Sequence, residues 1–140
     1  MNGHDLILAY YRAFNERRLD DASAMFANEA QLKTSAFEPS STGPAAYRYF
    51  TTSWLRAFPD AHFAIQRVEQ RGDTICEVDI LATGTHQGQL NFEALGSIAP
   101  SGGLVKVRFR ELLEIRHGAI TYSSLEFDVH HLIQQLTAAT

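Results

Sequence analysis

The run Val105 to Gly118, VKVRFRELLEIRHG, alternates apolar and charged residues with a period of two. That period is the mark of a β-strand with one face buried, because successive side chains on a strand point to opposite sides. Val105, Val107, Phe109, Glu111, Leu113 and Ile115 share one face. Lys106, Arg108, Arg110, Leu112, Glu114 and Arg116 share the other. An acid therefore stands in the middle of an otherwise apolar face. A carboxylate taken out of water is costly unless it is paired, hydrogen-bonded or protonated. Glu111 is thus either a core acid satisfied by a buried Tyr, Trp or His, or a group whose chemistry is used.

The pattern around this strand sets the fold class. Leu6, Ile7, Tyr10, Tyr11 and Phe14 recur at helical spacing from Asp5 to Arg18, and LDDASAMFA repeats the signal over a shorter length before a strand in AQLKTSA. The loop FEPSSTGP leads to Pro44, suited to the first turn of a third helix that carries Tyr47, Phe50 and Trp54 on one face and stops near Pro59. From His62 to Asp128 the chain reads as β: HFAIQRVEQ, TICEVDILATGTH, GQLNFEALGSI, the opening strand and ITYSSLEFD, with Gly72, Gly84 and Gly118 at turns or bends. Asp128 can cap a closing helix, VHHLIQQL. Helices followed by antiparallel strands give an α+β layout, one sheet wrapping the helices.

In TICEVDILATGTH the positions Cys76, Val78, Ile80, Ala82 and His86 make the more apolar face. His86, like Glu111, falls on it. Glu77 and Asp79 point outward, where they can meet Arg108 and Arg110.

Composition narrows the partners. A chain of 140 residues that is 45% hydrophobic is one domain with a core of its own, residues 1–140. The formal charge of −4, with Lys and Arg interspersed, offers no basic stripe for nucleic acid. One cysteine, Cys76, excludes an intrachain disulfide. No stretch approaches the ~18 apolar residues of a membrane span, so a soluble, cytoplasmic protein is expected. His130 and His131 are adjacent and on a helix diverge by about 100°, and no zinc spacing or phosphate-cradling glycine loop occurs. No metal or cofactor is expected.

Several strings, YYRAFNERRLDDASAMFANEA, FPDAHFAIQRVEQRGD, ATGTHQGQL and LEFDVHHLIQQL, together with the order of elements, resemble the SnoaL-like branch of the nuclear transport factor two-like superfamily. The resemblance runs over nearly the whole chain. It implies a cone: a strongly bent antiparallel sheet closed by three N-terminal helices around an apolar pocket, with a short C-terminal helix and dimerisation through the outer sheet face. It also implies an acid/base pair, histidine and aspartate, on the last two long strands of the ring-closing cyclases in this branch. Counted from the turn at Gly118, those positions hold Glu111 and Leu125 here, so the aspartate is missing. Asp128 matches a different family position, at the mouth of the closing helix, and Glu38 lies on a loop that borders the pocket mouth in the family.

Two functions fit these residues. One is a cofactor-independent cyclase or isomerase acting on a small hydrophobic, polyketide-like or terpenoid-like molecule, with Glu111 as base and His86 as partner. Tyr10, Tyr11, Tyr47, Trp54, Phe109 and Leu125 then shape the cavity, bordered by Glu38 and Asp128. The other is a non-catalytic domain that binds a hydrophobic molecule and keeps Glu111 only as a satisfied core acid. A homodimer is expected, since Ile75, Leu81 and Leu112 make the outer face more apolar than a solvated sheet requires.

Overall fold

A computed structural model of the chain describes residues 3–35, 41–92 and 96–138. The chain opens with α1 (Gly3–Asn15) and α2 (Leu19–Ser23), followed by β1 (Phe26–Thr34) and α3 (Gly43–Ala57). The β run contains β2 (His62–Arg71), β3 (Ile75–Thr85), β4 (Leu90–Phe92), β5 (Gly96–Ile98), β6 (Leu104–Arg116) and β7 (Ala119–Phe127), and α4 (Val129–Ala138) closes the chain. The main sheet has the order β1-β7-β6-β3-β2. This is the expected α+β arrangement, a curved antiparallel sheet holding N-terminal helices on one face and a short C-terminal helix at its end.

Tertiary pairing moved three boundaries. The second helix stops at Ser23 rather than running through MFA, because the Ile120 N–H donates to the Met25 carbonyl and Phe26 pairs with Ile120. That pairing sets β1 parallel to β7 in the main sheet. GQLNFEALGSI is not one strand: β4 and β5 pair with each other in a separate ribbon. The alternation of β6 holds from Val105 to Leu113 and slips at an irregularity between Glu114 and Ile115, which leaves Ile115 only half-buried. Gly72 and Gly118 stand at turns with φ of +82° and +76°, whereas Gly84 lies inside β3.

The core sits between the helices and the inner sheet face, and it is strongly aromatic. Phe14 stacks on Phe63 at 4.1 Å with planes 4° apart, and Phe109 stacks on Phe127 at 4.8 Å. Such pairs contribute about 0.5–1.5 kcal/mol each beyond area burial. Asn15, at the end of α1, clamps the Phe63 backbone by accepting from its N–H and donating to its carbonyl, both at 2.9 Å. Helix α1 is thereby fixed against edge strand β2. At the far end of α3 the chain crosses back so closely that a Cβ on Gly88 would lie 1.9 Å from the Arg56 carbonyl oxygen, so only glycine fits.

On the outer face the acids find partners as expected, but the cations differ in part. Arg110 reaches Asp79 at 3.0 Å and Glu77 at 3.3 Å, and Arg71 reaches Glu77 at 3.0 Å. Arg67, rather than Arg108, supplies the further contact to Asp79, at 3.6 Å. The β3–β6 register explains this, because it sets Arg110 opposite Asp79 and Arg108 opposite Leu81.

Candidate functional site

Glu111 is 3% exposed and points inward from β6. Its neighbours across the sheet are Val78 on β3 and Leu125 on β7. Leu125 therefore stands directly beside it, which makes the two positions singled out by counting from Gly118 cross-strand partners. Three hydroxyls serve the carboxylate. Tyr11 donates to Oε1, Ser123 donates to Oε2 at 2.5 Å, and the Tyr10 hydroxyl reaches Oε2 at 3.5 Å. Both tyrosines come from α1 and, although adjacent on the helix, their rings meet edge-to-face at 4.9 Å.

These contacts oppose each other in the acidity of Glu111. Burial pushes its carboxyl above the ordinary range, while the hydrogen bonds from Ser123, Tyr11 and Tyr10 pull it back, and burial prevails. Tyr10 and Tyr11 are raised by burial first and by the Glu111 charge second, so both remain protonated donors. A carboxylate has about four lone-pair sites. With Tyr11 on Oε1 and the other two hydroxyls on Oε2, Oε1 keeps a site at which it can accept a further proton.

A cavity of about 30 Å³ adjoins this acid, lined by Tyr10, Tyr11, Tyr47, Phe109, Glu111, Ser123 and Leu125 together with Phe14, Leu32, Lys33, Thr34, Ala46, Phe50 and Phe63. Of the residues selected from sequence, Glu111, Tyr10, Tyr11, Tyr47, Phe109 and Leu125 are thus brought together. Trp54 is not among the lining residues: at 1% exposure it packs within the core against Phe58, Phe109 and Phe127. Asp128 caps α4, accepting from the His131 N–H at 3.0 Å, an interaction worth about 1 kcal/mol. Glu38 lies outside the described residues.

His86 is placed away from Glu111. It follows the end of β3, eight residues beyond Val78, which is the residue opposite Glu111. Along an extended strand eight residues span up to roughly 26 Å. His86 is fully buried and pins a loop instead: its Nδ1 accepts from the Ser101 N–H at 3.1 Å, and its backbone exchanges hydrogen bonds with Gly102 and Gly103. With Nδ1 an acceptor, the ring proton is on Nε2, which has no hydrogen-bond partner among the described residues. Burial lowers its basicity, and the Gly88 backbone offsets this in part. Parity identified the face of His86 correctly, but a face runs the length of a strand and does not bring its two ends together.

Ser123 is the hydrogen-bonding neighbour of Glu111 that sequence reasoning missed. It lies two residues before Leu125 in ITYSSLEFD, so the same period of two that points Leu125 inward also points Ser123 inward.

A model of the SnoaL-like polyketide cyclase family matches residues 4–136. No curated protein matches the chain. Solved structures share its fold at low identity. A protein provisionally called a polyketide cyclase from Xanthomonas campestris pv. campestris superposes with a TM-score of 0.80 at 20% identity, covering 96% of each chain. IdmH from Streptomyces antibioticus, also provisionally called a polyketide cyclase, gives 0.77 at 21% identity over 95% of this chain and 96% of its own. A protein of ketosteroid isomerase-like fold from Catenulispora acidiphila gives 0.75 at 15% identity, covering 97% of this chain and 94% of that one. Among the described residues, no helix is long and apolar enough to cross a membrane.

Proposed function

Because the chain belongs to the SnoaL-like polyketide cyclase family, we propose that it is a cofactor-independent cyclase or isomerase. Its substrate is a small hydrophobic molecule, polyketide-like or terpenoid-like, and Glu111 is the base. The observation that carries this reading is a carboxylate 3% exposed beside a cavity, raised in basicity by burial and held in place by Tyr11 and Ser123. A base made stronger by dehydration and fixed by its neighbours is what abstraction of a proton next to a carbonyl requires.

The steps follow from one residue. Glu111 takes a proton from the carbon next to a substrate carbonyl, and the C–H electrons move into an enolate. In an isomerisation the protonated Glu111 returns that proton to another carbon. In a ring closure the enolate carbon attacks a second carbonyl, and Glu111 returns the proton to the new alkoxide. No proton is gained or lost overall. Leu125, at the position of the family aspartate, cannot carry a proton, so abstraction and return both fall to Glu111.

Exchange of deuterium from solvent into the methyl group of acetophenone, followed by NMR, tests this. The wild-type protein should accelerate exchange, and Glu111→Gln should lower the rate by about 10²–10⁴-fold. Equal rates in the two proteins would sink the catalytic reading. The second reading is a binding domain, and the volume of the cavity constrains both. About 30 Å³ is room for a water molecule rather than a polyketide, so any ligand must widen the cavity on entry. Saturable binding of acetophenone with no exchange would establish that alternative.

We also propose that two copies pair through the outer sheet face, where Ile75, Leu81 and Leu112 are half-buried among charges. Sedimentation at micromolar concentration should give a dimer, and a concentration-independent monomer would remove the proposal.

A further inference from the structure

Resting on that reading of Glu111, we propose that Tyr47 is the hydrogen-bond donor to the substrate's carbonyl oxygen, which makes the substrate a ketone held between Tyr47 on α3 and Glu111 on β6. The inference comes from accounting for the hydroxyls around the cavity. Those of Tyr10, Tyr11 and Ser123 are directed at the Glu111 carboxylate. Thr34 is already engaged. Lys33 pairs with Ser124, on the outer side of β7, and its ammonium lies 6.0 Å from the Tyr122 ring. Tyr47 alone differs. Its hydroxyl makes no hydrogen bond to a described residue, and Tyr47 lines the same cavity as Glu111.

The ring that carries this hydroxyl is well braced. It packs on Tyr10 at 5.5 Å and on Phe26 at 5.1 Å, within a residue that is 3% exposed overall. The backbone beneath it is the interior of α3, where the Tyr47 carbonyl accepts from the Thr51 hydroxyl at 3.0 Å. A donor fixed before the substrate arrives costs no reorganisation when charge develops. Burial, and after it the Glu111 charge, pushes the Tyr47 phenol far up, so it keeps its proton and can donate it in a hydrogen bond.

The two groups divide the chemistry. Glu111 removes the proton from carbon, the electron pair moves onto the carbonyl oxygen, and the resulting enolate oxygen accepts from the Tyr47 O–H without taking its proton. A carboxylic acid ionised at neutral pH fits poorly, because its charge would meet that of Glu111 in a site with little water. A neutral ketone with a hydrogen on the adjacent carbon fits both groups.

Isotope-edited infrared spectroscopy of acetophenone labelled with ¹³C at the carbonyl reads the Tyr47 contact directly, independently of turnover. Bound to the wild-type protein, the carbonyl band should lie at lower frequency than when bound to Tyr47→Phe, which keeps the ring packing. The same variant should lower deuterium exchange by about 10²–10³-fold, the usual effect of removing one such donor. Glu111→Gln should keep the shifted band and lose exchange. Tyr49→Phe, on the same helix with Tyr49 47% exposed, should change neither. If Tyr47→Phe does not give a cooperative melt, Tyr47→Leu supplies the same spectral comparison. A shifted band that survives loss of the Tyr47 hydroxyl in a folded variant overturns the proposal. A band shifted in the wild-type protein but not in Tyr47→Phe, with no exchange in the wild type, supports Tyr47 as the carbonyl donor and overturns Glu111 as base. Absence of saturable binding overturns both.

Discussion

On β6, Glu111 faces the helices at 3% exposure, while Glu114, three residues further on, faces outward and accepts from the Thr121 hydroxyl at 2.7 Å and from Arg116 at 3.3 Å. Both acids receive hydroxyl hydrogen bonds. Their acidities nevertheless move in opposite directions: burial pushes Glu111 up, whereas the Thr121 hydrogen bond, helped by Arg116, pulls Glu114 down. Hydrogen bonding of similar kind is thus common to both sites, and the loss of water decides between them. Elsewhere on the outer face, Glu77 and Asp79 are laced to Arg67, Arg71 and Arg110. The inner face has one acid and no cation paired with it among the described residues.

The largest effect expected to separate the two faces is catalytic. Glu111→Gln should remove about 10²–10⁴ in exchange rate, whereas Glu114→Gln should leave the rate within experimental error. A similar loss in both variants would mean that the rate reports general stability and not a base.

Next in size is a packing effect. Glu111→Leu fills the site with carbon but strands the hydroxyls of Tyr11 and Ser123, and an unsatisfied buried hydroxyl costs about 1–3 kcal/mol. Denaturant unfolding of Glu111→Leu should therefore show lower stability than Glu111→Gln, whose amide can still bond them. Equal stability would show that these hydroxyls find other partners.

The pH dependence follows in size. Glu111 is raised in the folded state from its ordinary 4.5, so between that value and its raised one the folded protein holds a proton that the unfolded chain has released. Its contribution is fully favourable below 4.5 and is lost as pH rises through the folded value, by up to about 1.4 kcal/mol per pH unit within the window. Unfolding titrations should show this loss in the wild-type protein and not in Glu111→Gln.

Glu114 has the opposite sign and gives the smallest effect. Lowered in the folded state, it contributes stability above its ordinary value that is lost as pH falls through the folded one. Glu114→Gln should flatten the acid side of the stability curve slightly, and high salt should shrink the part owed to Arg116. A salt-independent change would mean that the Thr121 hydrogen bond acts alone.

Period alone was enough to place Glu111 inward, to separate Glu77 and Asp79 from the core, and to predict helices carrying Tyr10, Tyr11 and Tyr47, because period is a local property of strand and helix geometry. Counting from Gly118 along two strands singled out Glu111 and Leu125, and the β6–β7 register then sets them opposite each other. The sequence could not tell which end of a face meets which helix. His86 and Glu111 share a strand parity, yet the β3–β6 register sets Val78 opposite Glu111 and leaves His86, past the end of β3, to hold the loop at Ser101. Trp54 and Tyr47 share a helix face, yet only Tyr47 reaches the cavity. Ser123 was legible in principle, since it follows the parity of Leu125, but a serine on an inner face has no visible purpose until its acceptor is known. Such pairings depend on contacts between residues as far apart as Tyr11 and Glu111, which no local period encodes and which form only when the sheet closes over the helices.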